Sequence, residues 1–157
     1  LFAYEADIGV LGEIPQGREF DILKLNSSPI VAFVAHNHPL AGARKLNLAD
    51  LAKQPLVLRE RGSKTRYKLE SLAESMGVEL VPTIEAEGRE AIREIVASGV
   101  GVGFVTKAEF GLDARLKPIL IDGPETLMDE ALVCLRERSS GKLVKAFWDI
   151  ARDVADD

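Results

Sequence analysis

Residues 56–77 read LVLRERGSKTRYKLESLAESMG, a short apolar strand, a basic turn on Gly62 and Ser63, and an amphipathic helix stopped by Gly77. A strand feeding a helix through so short a turn is the building unit of an α/β chain. The helix start is unusual. With Ser63 as N-cap, Lys64 and Arg66 occupy the first and third helical positions, where unpaired N–H groups and the helix dipole favour acidic residues. A capping box would place Glu or Gln where Arg66 stands. An anion held in front of the helix by Ser63, Lys64, Thr65 and Arg66 removes the conflict. The plainer reading pairs Arg66 with Glu70, one turn on, or with Glu60 on a solvated surface. Arg66→Glu separates the two: an anion site keeps its stability and loses its ligand, whereas a surface pair loses a little stability and binds as before.

Working outward, strand and helix signals alternate. YEADIGVL, apolar from Ile8 to Leu11, reads as a buried strand, FDILKLN as a half-buried one, and SPIVAFVA as a central strand. HNHPLAGARKLN is a polar turn, and in NLADLAKQ Asn47 caps a helix with Asp50 three residues on. VELVPTIEAE gives strand interrupted by Pro82, and Gly88 opens a helix with Ala91, Ile92, Ile95 and Val96 on one face. Gly99 ends that helix, VGVGFVT is a strand, AEFGLDARL is irregular, and LKPILI and EALVCLRE are strands around the loop DGPETLMD. The closing helix, GKLVKAFWDIARDVA, carries an apolar stripe of Leu143, Ala146, Phe147, Ile150 and Val154. This order predicts a mainly parallel sheet, or two small ones, covered by helices.

The chain has 157 residues and 20 Lys and Arg against 25 Asp and Glu, a net charge of −5 without a basic run. That balance leaves no electrostatic footprint for nucleic acid. No stretch approaches the roughly 18 to 20 apolar residues of a membrane span, and the first residues lack a signal-peptide pattern, so the cytoplasm is expected. The single Cys134 sits in the apolar run ALVCL and reads as a core residue.

SGVGVGF resembles a dinucleotide fingerprint, but that motif follows a strand and opens a helix, and here the order is reversed. Gly99 is then a C′ residue, while Gly101 and Gly103 let the strand pass close to a neighbouring backbone or a ligand. His36 and His38 lie in a turn without a third ligand, so no metal is expected. Glu85 and Glu87 alternate along one strand, either as a solvated edge or, at Glu87, facing a cationic group of a ligand at the Gly88 helix mouth. No catalytic set is found, and neither enzymatic activity nor a cofactor is expected.

ADIGVLGE, PIVAFVAHNHPLAG, NLADLAKQPLVLRERGSKTR and IEAEGREAIREIVASGVGVGFVT together, in this order and spacing, resemble the effector-binding domain of LysR-type transcriptional regulators. The resemblance covers nearly the whole chain. It implies a two-lobed α/β fold like type 2 periplasmic binding proteins, with the first lobe incomplete at its N-terminus. The lobes would be about 1–29 with 105–157, and about 30–104. A small anionic effector would lie in the cleft between them, against Ser63, Lys64, Thr65 and Arg66, Glu87 and Gly88, and Gly103, Phe104 and Val105. The DNA-reading helix-turn-helix would precede these residues, so DNA is expected as a partner only through that absent part, and a homodimer or higher homo-oligomer is expected. RERGSKTR, IEAEGREA and DEALVCLRERS resemble a subgroup tied to phosphonate utilisation, for which an aminoalkylphosphonate is the implied effector. A transporter's solute-binding protein of the same fold is the alternative.

Overall fold

Six consecutive apolar residues, Ile30 to Ala35, call for a strand buried on both faces. In the computed structural model of the chain, which describes every residue except Phe2, Tyr4, Glu13, Glu125, Asp156 and Asp157, all six are buried. They form the C-terminal half of one strand, β2 (Phe20–Ala35), into which the two segments read from the sequence merge. The chain divides into two compact units: residues 1–27 with 128–157, and residues 28–127. The second division falls at 127/128 rather than at 104/105. The reason is pairing: β6 (Gly103–Thr106) and β7 (Leu116–Asp122) flank the Ile30–Ala35 half of β2, which holds residues 105–127 in the second unit.

In the second unit the strand order is β3 (Lys45–Asn47), β7, β2, β6. β2 is antiparallel to both neighbours, and β3 is parallel to β7. The expected mainly parallel sheet is therefore mixed, because a single strand shared by outgoing and returning chain must run against its neighbours. Beyond β6 a parallel bridge between Leu56 and Val102 leads to β4 (Leu56–Arg59), itself parallel to β5 (Pro82–Ala86). β3 was hidden in the polar turn HNHPLAGARKLN.

The helices follow their caps. Asn47 accepts the Asp50 N–H at 2.7 Å and its amide reaches the Asp50 carboxylate at 2.7 Å, opening α1 (Leu48–Leu51). Ser63 accepts the Arg66 N–H at the start of α2 (Lys64–Ser75). Val78 and Gly77 donate back to Ala73 and Glu74, a Schellman closure that the positive φ of Gly77 permits. α3 (Arg89–Ala97) buries Ile92 and Val96 in a core with Val31, Phe33, Val57, Val105 and Leu116. The stretch expected to be irregular holds α4 (Lys107–Phe110), capped by Thr106 and tied by the Ala108 N–H to Ser28 Oγ at 2.8 Å.

In the first unit β1 (Ile8–Leu11) pairs antiparallel with β8 (Leu127–Leu135), and β8 neighbours β2. Cys134 is buried, and burial pushes its thiol pKa up, as suits a core residue. β1 is not the buried strand expected, since Val10 is 62% exposed; Tyr4, in the same reading, lies outside the described residues. In α5 (Lys142–Ala155) Val144 is buried, while Leu143, Phe147, Ile150 and Val154 are exposed. The amphipathic pattern formed the helix, but its stripe faces solvent among the described residues.

Candidate functional site

Parallel strands align their carboxyl ends, and helices that follow them present their N-termini at the same edge. Here β4, β5 and β6 end at Arg59, Ala86 and Thr106, followed by α2, α3 and α4. Gly88 is the N-cap of α3 with φ +84°, a conformation that strains any side-chain-bearing residue.

Two arginines line this edge, each held by a carboxylate. Arg59 makes a two-pronged pair with Glu60, Nε and Nη2 each donating at 2.8 Å. Glu60 also accepts the Gly88 N–H at 3.2 Å, so a carboxylate already sits at the start of α3. The Arg59 bonds lower the Glu60 pKa to about 2, and Glu60 in turn raises that of Arg59. Arg89, the first residue of α3, donates to Glu109 at 2.6 Å and to Glu90 at 3.2 Å. Glu109 accepts from the Thr106 hydroxyl at 2.9 Å. Between these pairs lies a cavity of only about 10 Å³, lined by Arg59, Thr65, Arg89 and Glu109 over an apolar floor that includes Ile92 and Phe104.

The residues expected from the sequence divide accordingly. Thr65, Phe104 and Val105 line the small cavity, and Gly88 lies beside it through Glu60. Glu87 is exposed, close enough for its charge to raise the Arg59 pKa. Ser63, Lys64 and Arg66 instead border an open hollow of about 490 Å³ with Arg61, Gly62, Tyr67 and Glu70. Gly103 is a packing position: a Cβ there would stand 2.7 Å from the Phe33 ring and 2.9 Å from Val96.

Arg66 is held from within the fold. It is 6% exposed, and its guanidinium donates to Glu70 at 2.7 Å, to the Arg59 carbonyl at 2.7 Å and to Glu85. Those bonds raise its pKa, Glu70 contributing most. The cation at this helix start is thus satisfied by protein carboxylates, one of them from β5. The expected pair of Arg66 with Glu70 is present, but its guanidinium is buried rather than solvated and is shared with Glu85.

Sequence reasoning missed Arg59, Glu60, Arg89, Thr106 and Glu109. Arg89 carried a usable signal, a cation at a helix start like Lys64 and Arg66. Glu109 carried none, because its partner lies twenty residues away. The histidines stay in their turn, where His38 Nδ1 accepts the Leu40 N–H at 3.1 Å. No metal-holding group of His, Cys, Asp and Glu occurs among the described residues, nor any helix long and apolar enough to cross a membrane.

A family model described as the LysR substrate binding domain matches residues 1–156. The RuBisCO operon transcriptional regulator of Allochromatium vinosum is 32% identical over 76% of this chain and 40% of its own. The transcriptional activator CmpR of Synechocystis is 28% identical over 78% of this chain and 38% of its own. The chain therefore spans about two fifths of the length of these curated relatives. Two solved domains share the fold at 22% identity each. The Synechocystis CcmR regulatory domain in complex with 2-PG has TM-score 0.85, over 98% of this chain and 76% of that one. The effector-binding domain of QuiR in complex with shikimate has TM-score 0.82, over 99% and 75%.

Proposed function

The chain belongs to the LysR substrate-binding domain family, and from that premise we propose that it is the effector-sensing part of a transcriptional regulator and receives a small anionic effector at the carboxyl ends of β4, β5 and β6. The observation that carries this reading is the cavity in which Arg59, Arg89 and Thr65 converge over Phe104 and Ile92. The Arg89 guanidinium supplies donors for a carboxylate or phosphate, Arg59 adds positive charge while its fork stays on Glu60, the Thr65 hydroxyl supplies a further donor, and the apolar floor suits the ligand's carbon frame. Effector binding would shift the domain's conformational equilibrium, and the whole regulator, cytoplasmic and at least dimeric, would read that shift on DNA through residues outside this chain. The matched relatives carry the names of regulators, which favours this reading over a transporter's solute-binding protein. The relatives named above do not carry phosphonate use in their names, and Arg66 is engaged by Glu70 and Glu85. An aminoalkylphosphonate therefore stands as one probe among several.

Titration calorimetry with shikimate, inorganic phosphate, an aminoalkylphosphonate and 2-PG tests the site. At least one of these anions binds, and Arg89→Gln and Thr65→Val each weaken it at least about tenfold, the scale of a lost hydrogen bond to a charged group. Binding that neither substitution changes would place the effector elsewhere.

A further inference from the structure

The proposed cavity is small, and a carboxylate of the protein lines it beside Arg89. Its volume of about 10 Å³ barely admits one water, and the Arg89–Glu109 pair lines one side of it. Resting on the reading above, we propose that Glu109 is a built-in competitor of the effector: its carboxylate occupies Arg89 when the site is empty, and an anionic effector takes its place.

Three features single out Glu109 rather than Glu60. Glu60 is held by both prongs of Arg59 and by the Gly88 N–H, which fixes it to β4 and α3 at once. Glu109 holds Arg89 through one bond, and both side chains are partly in water, at 34% and 44% exposure, where an ion pair contributes little. Among the described residues its carboxylate also accepts from the Thr106 hydroxyl, which can rotate to serve a departing carboxylate or an arriving anion alike. Glu109 is also on α4, a single turn of helix. Releasing Arg89 requires side-chain rotation there and no break in the sheet.

The exchange keeps the charge balance of the site. One carboxylate leaves Arg89 and one anionic group replaces it, so a ligand with a carboxylate or phosphate is accepted and a neutral isostere, unable to replace a charge, is rejected. Glu109 thereby sets selectivity: it raises the threshold for weak anions and excludes neutral compounds.

The test uses the whole chain with inorganic phosphate and acetate as probes, followed by calorimetry and by the side-chain Nε–H signal of Arg89 in NMR. Glu109→Gln is expected to bind phosphate about two- to fivefold more tightly than the unmodified chain, the scale of a removed exposed ion pair. Glu90→Gln removes the other carboxylate on Arg89, which does not line the cavity, and is expected to change affinity less than twofold. Glu109→Asp, one methylene shorter, is expected to fall between. In the Glu109→Gln, Arg89→Gln double variant the gain disappears. Equal affinities of the unmodified chain and Glu109→Gln, with binding still dependent on Arg89, would overturn the competitor role and leave the site standing. Equal gains from Glu90→Gln and Glu109→Gln would reduce the effect to general charge and also overturn it. Anion binding indifferent to Arg89, or none at 50 mM in any variant, would remove both the competitor and the site. Thermal melts of each variant show that it is folded.

Discussion

At the scale of single residues, burial inverts what charge at a helix start implies. Arg66 sits where helix electrostatics favour an acid, yet its guanidinium satisfies Glu70, Glu85 and the Arg59 carbonyl from within the fold. Arg66→Glu should therefore destabilise, by about 3 kcal/mol, because a buried partner becomes a third carboxylate facing two others. Urea denaturation measures this, and unchanged stability would return Arg66 to the anion-site reading. Gly101 carries a constraint of a different kind. A Cβ on it would lie 2.1 Å from the Pro55 carbonyl oxygen, part of the bridge in which Val102 N–H donates to that same oxygen. Gly101→Ala should cost about 2 kcal/mol or more, as overpacking against backbone does, and lower the urea midpoint accordingly.

At the scale of elements, carboxylates fasten α3 to its neighbours. Glu60 ties its start to β4, and Glu94 meets Arg115, which also holds Asp113, whose pKa falls to about 2 chiefly through Arg115. A carboxylate whose folded-state pKa lies below its unfolded value stabilises the fold above the unfolded pKa and ceases to as pH falls through the folded one. For Glu60 the window runs from pH 4.5 down to about 2. Stability should decline across that window, and the gap in urea midpoint between the unmodified chain and Glu60→Gln should close from pH 7 to pH 2. A gap that stays constant with pH would mean that Glu60 acts through shape and not charge. Local signals fared unevenly for these elements. The Asn47, Ser63 and Gly77 caps act over three or four residues and were legible. The strand β3, three residues in a polar turn, owes its pairing entirely to β7.

At the scale of the whole molecule, exposed apolar side chains mark where the described residues give no cover. α5 shows Leu143, Phe147, Ile150 and Val154 to solvent, Phe147 at 52% exposure. Leu143→Glu and Phe147→Glu should thus leave the melting temperature of this chain within about 2 °C, as surface exchanges do in a protein of this size. A drop of 8 °C would show that the stripe is covered in solution, by a second copy if the drop depends on protein concentration.

By itself, the sequence determined the alternation of strands and helices, the caps that begin α1, α2 and α3 and those that end α2 and α3, and the burial of Ile30–Ala35, because each depends on neighbours within a turn or two along the chain. It also carried the family in four motifs spread over nearly the whole chain. Only the tertiary structure decided that Arg66 answers Glu85, that Arg89 answers Glu109, and that residues 105–127 belong with the second unit. Those partners are nineteen or more residues apart and meet through strand pairing, and a charge in sequence carries no sign of which opposite charge the sheet will bring to it.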